Sequence, residues 1–297
     1  MLDLTRLRVL VAVAREGSVT AAADALHYAQ PSVSHHLARL EAEVGLPLTQ
    51  RAGRGLRLTE AGELLARRAE EILGQVEATE AELSAHAGLR TGRVRLAAFP
   101  SALATLVPAA AARFAAAYPD VELALTEAEP PAALTALRTG VVDVAVVFTH
   151  GALEERGVTV EPLLTEPLFL VTPADGARAR PDGGLAAHAD ARWIAGCERC
   201  RAHLVESCER AGFTPAIAFE TDDYVAVQAL VAAGLGVSTL PGLALTANRH
   251  PGVRVDPLPG DRRAVAVATY GRSPAPLPVQ AFRAALREAA AADFTQW

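Results

Sequence analysis

The chain has 297 residues, enough for two domains and a connecting element. It is 51% hydrophobic with only 5% aromatic residues and a net charge of −6, which excludes a disordered chain and one coated in positive charge, but not a single small basic surface. All 28 basic side chains are arginine, so any one arginine carries less meaning than usual.

The first 58 residues read as short helices with tight connections. Leu4, Leu7, Val11 and Ala14 form one helical stripe, ended by Gly17. Ser18 caps a second helix whose apolar side is Ala21, Ala22, Ala25 and Leu26. A third helix runs from Gln30 to Val44, where Gly45 and Pro47 stop it. Leu48–Arg51 and Leu56–Leu58 flank the glycine-rich tip Ala52–Gly55 as a two-stranded wing. Thr59 then caps a long helix in which Leu65, Ile72, Val76, Thr79 and Leu83 make a heptad seam that wants a partner helix. Its outer face is charged, and some 28 helical residues span on the order of 40 Å. Gly88–Gly92 breaks it.

From residue 92 strands and helices alternate. Strands are expected at Val94–Ala98, Val121–Thr126 and Val141–Phe148, with helices at Pro108–Tyr118 and Ala132–Thr139 between them. The pattern repeats with strands at Leu168–Thr172, Trp193–Ala195, Ala216–Glu220, Gly236–Leu240 and Ala264–Tyr270. The helices of this second series are Arg201–Gly212, Asp223–Ala233 and Pro278–Phe294. Such alternation implies parallel pairing with right-handed crossovers and a cleft at the carboxyl ends of the strands.

The N-terminus MLDLTRLRVL has no secretory pattern, and the apolar stretch Val225–Leu245 is too interrupted to span a membrane. The three cysteines lie within twelve residues and form no secreted disulfide framework. A cytoplasmic location with no membrane partner is the expectation.

The third helix carries the first chemical signal. Val33, Leu37, Leu40 and Val44 fall on one face. The other side offers Gln30, Ser32, His35 and Arg39. A helix in the DNA major groove needs this division, because its back must pack while its edge offers donors and acceptors to bases. Gln30 suits adenine, Ser32 a base or phosphate, and the free amides of the helix start attract phosphate. Arg39, Arg51, Arg54 and Arg57 would touch the backbone, with Arg54 on the wing tip aimed at the minor groove. An ordinary polar surface helix is the competing reading; the wing and heptad arm that follow favour DNA.

Residues 17–62, GSVTAAADALHYAQPSVSHHLARLEAEVGLPLTQRAGRGLRLTEAG, resemble the winged helix-turn-helix of LysR-type transcriptional regulators. PSALATLVPAAAARFAAAYPDVELAL, TGVVDVAVV, EPLFLV and LVAAGLGVSTLP resemble that family's effector-binding domain, in matching order. The resemblance covers nearly the whole chain. It implies an α/β protein with an N-terminal winged helix-turn-helix (1–58), a linker and dimerisation helix (59–91) and a two-lobed periplasmic-binding-protein-like effector domain (92–297). The lobes would be about 92–167 plus 265–297, and about 168–264. The partners it implies are double-stranded DNA, a second copy in a homodimer or homotetramer paired through residues 59–88, a small-molecule effector and RNA polymerase. No cofactor follows from it. The positions matching Gln30, Pro31, Ser32, Ser34, His35, His36, Arg39, Arg51 and Arg54 would meet DNA. Two departures stand out. Ala29 replaces the usual Ser or Thr cap, a loss of about 1 kcal/mol. His35 stands where an arginine is common, removing a bidentate contact to guanine.

By the same resemblance, the effector pocket would gather Phe99, Pro100, Ser101, Thr149, His150, Gly196, Cys197, Cys200 and Thr239. Ser101 at a helix start, with Arg199, Arg201 and His203 nearby, favours an anionic effector; Ser101 as a plain cap is the alternative. Asp222 and Asp223 read as caps. Cys197 and Cys200 could serve a thiol switch, giving a redox-responsive regulator, or join His203 and Cys208 on zinc, or simply pack the loop and line the pocket. Cys200 and Cys208 on one helix would lie about 12 Å apart, too far for a disulfide. No metal set is nominated. An enzyme built on the α/β unit is the competing class, but there is no nucleophile elbow, P-loop, Rossmann fingerprint or zinc-protease motif, and no catalytic residue is nominated. A ligand-binding module without transcriptional output is a third reading.

Overall fold

A computed structural model describes residues 2–52, 55–86, 92–151, 157–175, 184–270 and 275–294. The chain divides into two compact units, residues 1–87 with 136–141, and residues 88–135 with 142–297.

In the first unit, α1 (Leu4–Glu16), α2 (Val19–Ala25) and α3 (Gln30–Val44) pack together and are followed by the antiparallel strands β1 (Thr49–Ala52) and β2 (Gly55–Leu58). Capping sets the helix ends. Asp3 accepts from the Arg6 amide, Ser18 from the Ala21 amide, and Gly17 and Gly45 close α1 and α3 in left-handed geometry. The core is Leu7, Val9, Leu10, Val13, Ala22, Val33, Leu37, Leu40 and Leu48. On α2 the buried pair is Ala22 and Ala23, whereas Ala25, expected on the apolar side, is exposed. Seven residues hold barely two turns, so tertiary packing decides which alanine faces inward.

The long helix α4 (Glu60–His86) begins with Thr59, whose hydroxyl accepts from the Gly62 amide and donates to the Pro47 carbonyl. Gly62 is required there: a Cβ would fall 2.0 Å from the Leu48 carbonyl oxygen. Ala66, Ala69 and Leu73 bury one face of α4 in the first-unit core, and α1 is the element it packs on. The predicted seam follows another line: Leu65 is half-buried in that core, while Ile72 is 38% and Leu83 66% exposed.

The second unit is one eight-stranded sheet in the order β4-β3-β5-β10-β6-β9-β7-β8. Its first lobe has the parallel strands β3 (Gly92–Ala98), β4 (Val121–Glu127) and β5 (Val144–Thr149). The helices of that lobe are α5 (Pro100–Leu103), α6 (Leu106–Ala117) and α7 (Pro130–Arg138), the last of which ends in the segment grouped with the first unit. The second lobe has β7 (Arg192–Ala195), β8 (Ala216–Glu220) and β9 (Val237–Pro241), again parallel, with α8 (Glu198–Arg210), α9 (Tyr224–Ala232) and α10 (Gly242–Ala247). Two long antiparallel strands, β6 (Val158–Pro173) and β10 (Val253–Tyr270), pair with each other and run through both lobes. Helix α11 (Leu277–Asp293) packs on α6 through Phe282, Leu286 and Ala289.

Only the apolar ends of β6 and β10 stand out in the sequence. Pro162, Pro167 and Pro257 read as strand breakers, yet each sits at or beside a position where the β6–β10 register shifts, the place a sheet tolerates proline. Helices α5 and α10, with four and six residues, are too short to show a period.

Candidate functional site

Two surfaces carry the chemistry. The first is the outer edge of α3. Val33, Leu37 and Leu40 are buried in the core, and Gln30, Pro31, Ser32, Ser34, His35 and Arg39 are exposed, with His36 half-exposed beside them. Ala29 caps the helix without a side-chain bond. The His35 and His36 rings lie 6.2 Å apart edge to face, and Tyr28 stands 6.2 Å from His36. The Glu41 carboxylate ties α3 to the wing by accepting from the Leu48 amide (2.8 Å), the Thr49 amide (2.9 Å) and the Thr49 hydroxyl (3.0 Å). Periodicity hides this role, because Glu41 reads as a solvated helix charge. Arg51 lies on β1 opposite Leu56, and Arg54 falls outside the described residues.

The second surface is a cleft of about 480 Å³, its open mouth included, in the second unit. The strand ends place its walls. Phe99, Pro100 and Ser101 follow β3, Glu129 follows β4 and Phe148 is on β5. Gly196, Cys197 and Cys200 follow β7, Asp222 and Tyr224 follow β8, and Ser238, Thr239 and Pro241 are on β9. This is where parallel α/β units gather ligands. Of the residues expected here, seven line the cleft: Phe99, Pro100, Ser101, Gly196, Cys197, Cys200 and Thr239. Thr149 and His150 lie outside its wall. The Thr149 hydroxyl accepts from the Gly151 amide at 3.1 Å, and the His150 ring stacks on His203 with centroids 3.9 Å apart. Burial, then His203, holds the His150 imidazole down at about 3.

A buried ion pair lies in the wall. Arg263, 3% exposed, donates from Nε to Glu166 Oε1 at 2.6 Å, and Glu166 is 0% exposed. Glu166 Oε2 accepts from the Leu243 amide at 2.6 Å, and Arg263 Nη2 donates to the Ser101 hydroxyl at 2.9 Å. The guanidinium also lies over the Phe148 and Phe99 rings, 4.3 and 4.8 Å from their centroids. Hydrogen bonds on both carboxylate oxygens and aromatic faces around the cation offset the cost of burying the pair.

This geometry reverses the expected polarity. Ser101 neither caps a helix nor presents a free hydroxyl, since Phe99 is the cap and Arg263 donates to it. Arg199, Arg201 and His203 do not line the cleft; Arg201 pairs with Glu220, and His203 approaches Asp261 at 3.5 Å. The charges facing the cleft beside the paired Arg263 are Glu129 and Asp222. Asp223 is the cap of α9, accepting from the Val225 and Ala226 amides, so Asp222 is left for the cleft. Burial, with Cys197 second, pushes the Glu129 carboxyl up to about 8.

The Cys197 thiol donates to the Cys200 sulfur at 3.3 Å. That bond holds Cys200 below the usual thiol range and Cys197 above it. Cys208 is buried in the second-lobe core beside Leu204 and Trp193, and burial pushes its thiol up to about 11. With His203 turned to His150 and Asp261, the short zinc set of Cys197, Cys200, His203 and Cys208 is not brought together.

Two family models match. The model of the bacterial regulatory helix-turn-helix protein of the lysR family fits residues 4–63, and that of the LysR substrate binding domain fits residues 87–291. The chain belongs to the LysR family of transcriptional regulators. This LysR-type regulator is 30% identical over 275 residues to the HTH-type transcriptional regulator YcgK of Bacillus subtilis, covering 85% of this chain and 83% of YcgK. It is 31% identical over 259 residues to the HTH-type transcriptional regulator TfdS of Cupriavidus pinatubonensis, covering 85% and 86% of the two chains. Among solved structures, a cysteine-to-aspartate variant of full-length OxyR from Pseudomonas aeruginosa superposes with a TM-score of 0.69 at 25% identity, covering 98% of this chain and 95% of that one. Full-length CbnR in complex with its target DNA gives 0.65 at 22% identity, covering 97% and 100%, a likeness of fold. The matched relatives are regulators of transcription rather than enzymes, so the catalytic alternative falls away. Among the described residues no helix is long and apolar enough to cross a membrane.

Proposed function

We propose that this LysR-type regulator reads its operator with the exposed edge of α3, pairs with a second copy through α4, and is controlled by a small molecule bound in the cleft. Residues 1–58 are then the DNA-binding domain, 59–91 the linker and dimerisation segment, and 92–297 the sensor. The carrying observation is the division of α3: three aliphatic side chains fully packed, and Gln30, Ser32, Ser34, His35 and Arg39 left open on the other edge. The exposed Ile72 and Leu83 support pairing along α4. Strand ends from both lobes around one cleft support an effector that biases their arrangement.

The test is a binding titration of the full chain against the DNA upstream of its own gene and against random DNA at matched salt. A clear preference for the upstream DNA supports the reading; equal affinity refutes it. A redox-responsive regulator using Cys197 and Cys200 is the second reading, favoured by their 3.3 Å separation.

A further inference from the structure

We propose that the cleft binds a thiophilic divalent cation of the Zn²⁺ class, held by Cys197, Cys200 and Asp222 of the second lobe and Glu129 of the first. The inference rests on the cleft being the effector site and names the class of effector.

Three side chains from three loops converge, Glu129, Cys197 and Asp222, and Cys200 adjoins them through Cys197. Cys197 is the residue preceding α8 and Cys200 sits in its first turn, so their sulfurs, 3.3 Å apart, form a chelating pair on a rigid element. Ligand atoms of Glu129, Cys197 and Asp222 lie within 4.8 Å of one another. Glu129 Oε2 is buried with no hydrogen-bond partner among the described residues. A buried carboxyl oxygen left without a hydrogen bond beside two thiols is costly, and a cation that displaces the carboxyl proton would satisfy it. The nearby cation does not fill this role, because Arg263 donates to Glu166 and Ser101.

A tetrahedral ion with bonds of about 2.3 Å to sulfur and about 2.0–2.2 Å to oxygen sets its ligand atoms some 3.3–3.8 Å apart. Glu129, Cys197 and Asp222 therefore have to close by on the order of 1 Å, and the Cys200 sulfur, outside that trio, has to swing further toward the carboxylates. Two sulfurs and two carboxylate oxygens suit a borderline-soft ion, whereas Mg²⁺ and Ca²⁺ prefer oxygen alone. On binding, each thiol loses its proton to solvent as its sulfur lone pair forms the metal bond, and Glu129 likewise binds as the carboxylate. Glu129 precedes α7 in the first lobe and the other three belong to the second, so the ion bridges the lobes. It favours whichever arrangement of β6 and β10 brings the four groups closest.

The experiment titrates the reduced full-length chain with Co²⁺ under anaerobic conditions, follows with Zn²⁺ against a chromophoric chelator, and measures DNA affinity with and without Zn²⁺. One equivalent of Co²⁺ should bind, with thiolate-to-cobalt charge-transfer absorption and tetrahedral ligand-field bands that Zn²⁺ abolishes. Cys197→Ser and Cys200→Ser should each diminish the charge-transfer band, and the double variant should lose it. Glu129→Gln and Asp222→Asn should each weaken Zn²⁺ by at least about tenfold, since outer-shell partners alone give 10–100-fold. Cys208→Ser should change nothing. Absence of charge-transfer absorption overturns the site, as does a band that survives in the double variant. A chain that ignores Co²⁺ and Zn²⁺ but closes a Cys197–Cys200 disulfide with a hydroperoxide overturns it as well. Metal uptake as described with unchanged DNA affinity keeps the site and refutes the effector role; DNA affinity that responds to an organic ligand in a chain taking up no metal refutes the metal and keeps the effector role.

Discussion

The α3 edge and the cleft are the two candidate sites, and they are built in opposite ways. The edge is one continuous run from Gln30 to Arg39, open to water, its conformation set by three buried aliphatic side chains. The cleft is assembled from groups as far apart in sequence as Ser101 and Arg263, and its charged members range from buried Arg263 through half-buried Glu129 to exposed Asp222. A contiguous exposed site can change its side chains with little cost to the fold. A dispersed site with a buried ion pair in its wall cannot, because Glu166 and Arg263 hold each other in place.

That contrast is sharpest at Glu166 and Arg263. Glu166→Gln leaves the Arg263 guanidinium buried without its counter-charge and should destabilise the sensor by about 3–5 kcal/mol in a denaturant melt. A loss below about 1 kcal/mol would show that water reaches the pair and that its burial in the cleft wall is not maintained in solution.

On the exposed side, Arg39→Ala should leave the melt within about 0.5 kcal/mol of wild type. It should weaken binding to all DNA about equally and reduce the slope of log affinity against log salt by about one. On α4, Ile72→Glu or Leu83→Glu should raise the dimer dissociation constant at least about tenfold in sedimentation experiments, as for an interface residue worth more than about 1.4 kcal/mol. A dimer indifferent to both variants would place the pairing surface elsewhere.

The stacked His150 gives the second unit an acid response. Its folded pKa of about 3 lies below the unfolded value of 6.5, so the unfolded chain binds the extra proton between those limits and stability falls as pH drops through that window. Above pH 6.5 the contribution is fully present. His150→Leu should flatten the thermal midpoint between pH 7 and pH 5 where wild type loses a few degrees. Smallest of these effects, Ala29→Ser should supply the absent cap of α3 and stabilise the first unit by about 1 kcal/mol.

The same contrast explains what can be read from the chain alone. Local rules locate Ser18, Thr59, Gly17 and Gly45, the aliphatic back of α3 and the wing, because caps, turns and periods depend on neighbours in sequence. The strand-and-helix order also places a cleft at strand ends, and the resemblance to LysR-type regulators names Phe99, Ser101, Cys197, Cys200 and Thr239 there. Glu129, Glu166 and Arg263 carry no such mark. Glu129 stands before two prolines, and Glu166 and Arg263 lie in stretches of β6 and β10 that their prolines and charges disguise. The expected partners of the cysteines show the limit: helix spacing suggests His203 and Cys208, whereas the fold brings Glu129 and Asp222 from other loops. Asp222 is the nearest to a legible case, since two adjacent acids at one helix start cannot both serve as its single cap.

If the polar edge of α3 meets base edges, removing a ring from that edge must cost sequence preference. That cost is measured most directly by titrating wild type and His35→Ala onto operator and random DNA at the same salt. His35→Ala should cost about 1–3 kcal/mol on the operator while random DNA is bound nearly as before. Equal losses on both DNAs, or none on either, would contradict base contact by this edge.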